Sequence, residues 1–133
     1  MIAGTTFHFA PPEAVPLACL RHGKRFGASV SEIAEVKAEC EAERAMCLEC
    51  EDGVVVVTPE ALSDGSIELF VLLAVAYRHG AFERQDAALR AIARDLGADV
   101  IAFRARRRGW ARVLGPEWQR RGTDEFVRTI DGR

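Results

Sequence analysis

The chain has 133 residues, of which 49% are hydrophobic and 29% are charged, and this size and composition fit one soluble globular domain. Its longest apolar run, residues 69–77, is about half as long as a membrane-spanning helix needs, and the N-terminus lacks the basic and apolar regions of an export signal. We therefore expect a single domain over residues 1–133, cytoplasmic, whose four cysteines stay reduced.

The net charge of −2 hides an asymmetry between the two parts of the chain. Residues 1–77 hold 12 acidic and 5 basic side chains, whereas residues 78–133 hold 8 acidic and 13 basic ones. All 13 of those basic residues are arginines, which suit the recognition of phosphates or carboxylates. The alternative is that the two oppositely charged parts attract each other within the fold.

The N-terminal region predicts a short strand followed by a helix. Apolar and polar residues alternate over residues 6–10, which predicts a strand that Pro11 and Pro12 end. Residues 13–26 then predict a helix with Pro16 in its first turn, where a missing amide does no harm. The apolar side chains expected to face inward are Val15, Leu17 and Leu20.

A second helix and a hairpin follow. Residues 32–44 predict a helix whose outer surface is strongly acidic. Either Ser29 or Ser31 can cap its N-terminus. Residues 45–58 alternate in hydrophobicity around Asp52-Gly53, a dipeptide typical of hairpin turns.

The most strongly patterned stretch is residues 66–97. It starts with a nearly unbroken apolar run over residues 67–76, which predicts a strand buried on both faces. An apolar stripe then predicts a helix that Gly97 ends, and residues 99–103 predict a second short strand. The stripe consists of Phe82, Gln85, Leu89, Ile92 and Leu96. In such a strand–helix–strand unit, the turn at residues 77–80 lies beside a helix N-terminus that favours an anion.

The C-terminal region predicts a basic connection, a short helix over residues 109–114 and a last strand over residues 126–130. The connection contains Arg104, Arg106, Arg107 and Arg108. With Trp110 beside them, these arginines suit an acidic protein partner, a nucleotide cofactor or a nucleic acid, unless they are simply solvated. The acidic first part of the chain would repel a nucleic acid, so that partner is disfavoured.

Cysteine and histidine residues supply enough soft ligands for a tetrahedral zinc ion. They are Cys19, His22, Cys40, Cys47 and Cys50. On a strand, however, Cys47 and Cys50 lie three positions apart and point to opposite faces, so that they cannot share one ion. We therefore expect no metal site, and small buried thiols instead.

The order of elements resembles the GCN5-related N-acetyltransferase (GNAT) fold over nearly the whole chain. Residues 67–71 look like its fourth strand, residues 77–80 like a remnant of its cofactor turn, and residues 109–115 like the short helix before its closing strands. The sequence looks most like small divergent members encoded by tailed bacteriophages. The resemblance implies an α+β domain of three layers, with a mixed, mostly antiparallel twisted sheet flanked by helices.

The resemblance also implies acetyl-CoA as the cofactor and an amine of a small molecule or a protein as the acceptor. In the family, the turn reads Arg/Gln-x-x-Gly-x-Gly/Ala, because backbone amides lie against the pyrophosphate. Gly80 matches the first glycine, whereas Phe82 falls on the second, so the turn is degenerate. The residues expected to bind the cofactor are Val75, Arg78, His79, Gly80, Ala81 and Phe82.

Acetyl transfer needs an acceptor for the amine proton and often a tyrosine that protonates the leaving thiolate. Glu68 on the central strand is the candidate base, and its alternative is a carboxylate that faces solvent. His79 is either a second base or incidental. Many family members carry the tyrosine on the short helix, where this chain has Trp110; the only tyrosine here is Tyr77 at the turn.

Three functions of different classes therefore remain. Element order favours an acetyl-CoA-dependent acetyltransferase, and each function is compatible with a homo-oligomer. Phe82 and the displaced tyrosine favour a catalytically inactive GNAT-fold module that serves as a binding or virion-associated protein of phage origin. A zinc or nucleic-acid module is the third and weakest alternative.

Overall fold

The structure, a computed structural model, describes residues 6–22, 29–77, 81–104, 116–122 and 124–130, with the backbone alone for residues 81 and 82. In chain order its elements are β1 (His8–Phe9), α1 (Ala14–His22), α2 (Val30–Glu41), β2 (Met46–Cys50), β3 (Gly53–Ala61), β4 (Ile67–Ala76), α3 (Ala81–Asp95), β5 (Val100–Arg104), β6 (Gln119–Arg121) and β7 (Glu125–Thr129). No helix within these ranges combines the length and apolar character needed to cross a bilayer.

The strands form one seven-stranded sheet in the order β1-β2-β3-β4-β5-β7-β6. β4 and β5 pair in parallel, and every other neighbouring pair is antiparallel. The parallel pair is connected by α3, because parallel neighbours need a crossover. The mixed, mostly antiparallel α+β sheet that the sequence predicts is therefore confirmed.

The sheet is buried on both faces at β3 and β4. On one face, Val54 and Val56 of β3 pack with α1 and α2; on the other, Val55 and Val57 pack with α3. All four valines are 0% exposed. Alternation on a strand covered from both sides explains why apolar residues run on without a polar face.

A bulge in β4 reverses this alternation. Val56 is opposite Leu73 and Val57 is opposite Val71, which leaves Leu72 as an extra residue on β4. Before the bulge, Leu69 and Val71 pack on the α3 face; after it, Leu73 and Val75 pack on the α1 and α2 face. One extra residue shifts the period of two by one step, so side chains with odd numbers change face. The apolar run predicts the strand and does not reveal the bulge, since both faces are buried.

α3 matches the predicted helix closely. Gln85, Leu89 and Ala93 are buried, and Gly97, with φ of 75°, follows the helix end as predicted. The prediction that Leu96 faces inward is wrong, since it is 40% exposed. Leu96 lies after the last helical residue, and the next buried position is that of Ala98.

The predicted orientation of α1 is correct for Val15 and wrong for Leu17 and Leu20, which are 63% and 78% exposed. The buried residues of α1 are small, namely Ala14, Val15, Ala18 and Cys19. Small side chains let this helix approach the sheet closely, so its larger leucines are left on the outer side.

The structure settles one predicted boundary, shifts another and adds a strand. Ser29, rather than Ser31, caps α2 by accepting a hydrogen bond from the Glu32 amide at 3.1 Å. The hairpin turn is Glu51-Asp52, because Gly53 already pairs with Cys50. β6 was not predicted, since its three residues, Gln119–Arg121, have no apolar alternation.

Some predictions fall outside the described residues. These are the short helix over residues 109–114 with Trp110, the basic residues 106–108 and the turn residues 78–80. Arg104 is described, and it forms ion pairs with Asp124 at 3.7 Å and Glu125 at 3.5 Å. Its charge is therefore engaged within the fold.

Candidate functional site

β4 and β5 separate at the bulge. The parallel pairing extends from Glu68 opposite Val100 to Val71 opposite Phe103, but β4 continues to Ala76. Among the described residues, no strand pairs with Leu72–Ala76 on the β5 side. Strand backbone groups without a partner on one side can bind an extended, amide-containing ligand by strand addition.

The N-terminus of α3 lies close in sequence to the end of this edge. β4 ends at Ala76 and α3 begins at Ala81. The first amides of a helix have no partner within the helix and carry a partial positive charge, so they attract an anion. The strand edge and the helix terminus together can hold a ligand that has amides at one end and phosphates at the other.

The tip of the β2–β3 hairpin is attached to both sides of the connection between β4 and α3. The carboxylate of Asp52 is 0% exposed and accepts two hydrogen bonds from Arg84, at 2.8 Å from Nε and 2.8 Å from Nη2. The backbone oxygen of Asp52 accepts a third from the Tyr77 amide at 2.7 Å. A charge-assisted bidentate pair is among the strongest polar contacts in proteins.

Two further contacts close the packing at this point. The buried Gln85 side chain donates from Nε2 to the Val75 carbonyl at 3.4 Å. Gly53 has φ of 152°, and a Cβ placed there would lie 1.7 Å from the Val75 oxygen. Only glycine permits this approach of the hairpin to the end of β4.

Tyr77 lies just after β4, beneath a side chain of α1. The Arg21 guanidinium stacks over its ring at 4.2 Å from the centroid. Burial raises the pKa of the Tyr77 phenol, and the charge of Arg21 opposes this only in part. The phenol therefore keeps its proton at neutral pH. Tyr77 and Arg21 also line an open cleft of ≈ 310 Å³ together with Glu49.

Glu68 lies near the other end of β4 and is 2% exposed. Its Oε1 accepts from Arg121 Nη1 at 2.6 Å, and its Oε2 from Arg121 Nη2 at 3.3 Å. Arg121 also contacts Glu125 at 2.9 Å, and these hydrogen bonds raise the pKa of its guanidinium. The alternative that Glu68 faces solvent is therefore wrong.

The structure gathers only part of the predicted site. Val75, Tyr77 and the backbone of Ala81 and Phe82 flank the same connection, whereas Glu68 lies toward the other end of the strand. Arg78, His79 and Gly80 lie outside the described residues.

Sequence reasoning missed three residues of the hairpin contact, namely Asp52, Arg84 and Gln85. One of them gave a signal, because Gln85 is a polar residue in an otherwise apolar helical stripe.

The four cysteines are buried free thiols. Cys19, Cys40 and Cys47 belong to the cluster beneath α1 and α2, and burial raises the pKa of the Cys47 thiol to about 12. Within the part of the chain that the structure describes, no three His, Cys, Asp or Glu side chains are grouped as a metal would require.

The strand order, the crossover helix and the separation of β4 from β5 at a bulge define a GNAT fold. Solved structures share it. A protein assigned to the GNAT acetyltransferase family from Desulfovibrio desulfuricans superposes with a TM-score of 0.60 at 15% identity, over 95% of this chain and 98% of the other. AtaTR bound with acetyl-CoA gives 0.59 at 6% identity, over 96% and 94%.

A third similar structure is Ard1 from Thermoplasma volcanium, with a TM-score of 0.50 at 11% identity over 96% of this chain and 98% of the other. At the level of sequence, no protein-family model and no curated protein matches this chain. At sequence identities this low, the structural similarity shows that these proteins share a fold with this chain.

Proposed function

We propose that the protein is an acyl-CoA-dependent N-acetyltransferase, which transfers an acetyl group from acetyl-CoA to an amine. The observation that carries this proposal is the separation of β4 from β5 at Leu72, next to the helix that begins at Ala81. In support, a protein of the same fold, AtaTR, has been solved with acetyl-CoA.

The residues present fit this cofactor at its two ends. The open edge of β4, which includes Val75, suits the amides of the pantetheine arm. The amides at the start of α3, at Ala81 and Phe82, suit the pyrophosphate. Arg78, His79 and Gly80 complete the proposed phosphate site by their place in the sequence.

When bound, acetyl-CoA supplies a thioester whose acyl carbon the amine nitrogen attacks, so that a C–N bond forms and the C–S bond breaks. The protein must then remove one proton from the amine and supply one to the thiolate. We assign the first role to Glu68 and the second to Tyr77.

Glu68 is suited to be the base because it is a carboxylate that the two hydrogen bonds from Arg121 hold in one orientation. An ionised carboxylate has about four acceptor positions, of which Arg121 uses two. Four residues of strand, roughly 13 Å, separate Glu68 from the bulge at Leu72, so the proton would pass through water.

Tyr77 is suited to be the acid because its phenol is protonated at neutral pH. It ranks below Glu68, since five residues, roughly 16 Å of extended chain, separate it from the bulge at Leu72. Tyr77→Phe distinguishes the two roles that remain for this ring. Loss of turnover supports an acid, and unchanged turnover indicates a wall of the cleft.

A specific observation favours a second function, a GNAT-fold binding module without catalysis. Phe82 occupies the second position of α3, where the family carries glycine or alanine, and a bulky residue there opposes close approach of a pyrophosphate. A virion-associated role of phage origin is one form of this alternative. Under it, Arg106, Arg107 and Arg108 would contact an acidic protein partner, since Arg104 is already ion-paired within the fold.

A titration with acetyl-CoA and with CoA tests the proposal. Ligand at about 100 times its dissociation constant stabilises a protein by about 2.7 kcal/mol, which a thermal-shift measurement detects easily. Arg78→Ala should weaken binding by about 1.5 to 3 kcal/mol, the range for a hydrogen bond to a charged group. Absence of any shift at millimolar acetyl-CoA would contradict the enzyme and favour the binding module.

A further inference from the structure

We propose that Asp52 is a positioning residue, which fixes the start of α3 against the end of β4, so that the first amides of α3 are presented to the phosphates before CoA binds. The inference rests on the proposed function. It adds a specific role for the β2–β3 hairpin, which contributes no ligand to the proposed site.

The geometry of Asp52 carries this inference. Its backbone oxygen holds the amide of Tyr77, the last described residue before the turn, at 2.7 Å. Its carboxylate holds the guanidinium of Arg84, in the first turn of α3, at 2.8 Å through each oxygen. One residue therefore bridges the two sides of a connection that spans residues 78–80.

A second residue of the hairpin supports the same conclusion independently. Gly53 lies so close to β4 that a Cβ would overlap the Val75 oxygen, and Gln85 of α3 reaches that same oxygen at 3.4 Å. The hairpin tip, the end of β4 and the start of α3 therefore meet at one point, and moving one element requires moving the other two.

Charge explains why the arginine is a support rather than a ligand. Both oxygens of the fully buried Asp52 engage Arg84, so the arginine charge is neutralised within the fold. An arginine held by a bidentate carboxylate keeps one geometry, which suits the fixing of a helix start. The first amides of α3 remain the groups that meet the anion, and they lose less conformational freedom on binding if the start of the helix is already fixed.

The experiment compares Asp52→Asn with Asp86→Asn in the full chain. Asp86 is a half-buried carboxylate of α3, two residues after Arg84, and is ion-paired with Arg128 at 3.2 Å and with Arg90 at 3.4 Å. Its variant therefore controls for the loss of an arginine-paired carboxylate near the start of α3. Two readouts are needed. Amide hydrogen exchange over residues 77–85 reports how firmly the end of β4 and the start of α3 are held. Dissociation constants for CoA and for pantetheine report phosphate binding, because pantetheine lacks the phosphates of CoA.

We expect Asp52→Asn to raise exchange over residues 77–85 at least tenfold. We also expect it to weaken CoA at least tenfold and to leave pantetheine unchanged, whereas Asp86→Asn does neither. Arg84→Lys keeps the charge but not the fork geometry and should lie between wild type and Asp52→Asn. It also serves as the test if Asp52→Asn fails to fold.

The possible failures are distinguishable. Unchanged exchange over residues 77–85 in both Asp52→Asn and Arg84→Lys overturns the inference whatever the protein binds. Equal weakening of CoA and pantetheine overturns it too, since the effect would then be a general loss of structure. A wild-type protein that binds no CoA contradicts the proposed function itself.

Discussion

Each end of β4 has a buried carboxylate that an arginine holds through two hydrogen bonds, yet the two pairs differ in their surroundings. Asp52 is fully buried, and both of its oxygens engage Arg84 at equal distances. Glu68 shares Arg121, whose side chain is 41% exposed, with Glu125. Arg84 itself is 30% exposed, so the difference lies in the contacts. The end of β4 next to α3 is held by both the side chain and the backbone of Asp52, whereas the arginine at the other end is shared with a second carboxylate.

The largest effect should come from breaking the pair of Asp52 and Arg84. Asp52→Ala removes a fully buried carboxylate that accepts two charge-assisted hydrogen bonds, so we expect a loss of about 3 kcal/mol in the free energy of unfolding, measured by urea denaturation. A loss smaller than that of the corresponding change at Glu68 would reverse the comparison between the two ends.

The second effect concerns Glu68. Glu68→Gln keeps the shape and removes the charge, and Arg121 retains Glu125, so we expect a loss of about 1 to 3 kcal/mol. If Glu68 is the base, the variant should also lower kcat by about 10²- to 10⁴-fold.

The control for Glu68 uses the same arginine. Glu125→Gln removes the more exposed partner of Arg121 and should cost less than about 1 kcal/mol with kcat unchanged. If Glu125→Gln lowers kcat as much as Glu68→Gln does, the effect belongs to the position of Arg121, and Glu68 is not the base.

The comparison between the two ends of β4 also shows which features of the fold can be predicted from the sequence. The apolar run of β4 and the stripe of α3 predict these elements almost to the residue, because their patterns reflect burial along a single element. Burial of Asp52 and Glu68 was not predictable in this way. A carboxylate is buried only when a partner neutralises it, and Arg84 and Arg121 are 32 and 53 residues away in sequence.

Contacts between distant segments explain the remaining errors. Asp52-Gly53 predicts a hairpin, and the hairpin forms. The same dipeptide also contacts β4 and α3, and a hairpin pattern in the sequence does not predict such contacts. The bulge at Leu72 is hidden because apolar residues lie on both faces of β4. The part of the candidate site that depends on pairing between distant segments is the part that sequence reasoning missed.

A third effect is the pH dependence of stability that a buried cysteine causes, and it limits the pH range in which the two ends of β4 can be compared. Burial raises the pKa of the Cys47 thiol from 9.0 to about 12, so the folded protein keeps a proton that the unfolded chain releases. Stability should therefore fall as pH rises above 9, by up to about 1.4 kcal/mol for each pH unit. Cys47→Val removes this group, and urea titrations at pH 8 and pH 10 should show a smaller difference than in wild type. An equal difference would contradict the assignment to Cys47.

The smallest expected effect is a gain in stability, and it provides the background in which the two ends of β4 are best compared. Glu43, just after α2, has φ of 61°, a left-handed conformation that costs a non-glycine residue about 1 to 2 kcal/mol. Glu43→Gly removes this strain but makes the unfolded chain more flexible, so we expect a net gain of about 0.5 to 1 kcal/mol by urea denaturation. Glu43→Ala loses the same charge and keeps the strain, so it should show no gain. Equal gains in both variants would assign the effect to the charge of an acidic helix end. If only glycine stabilises, then Asp52→Ala and Glu68→Gln can both be measured in the Glu43→Gly protein, where the more damaging of the two retains a larger folded population.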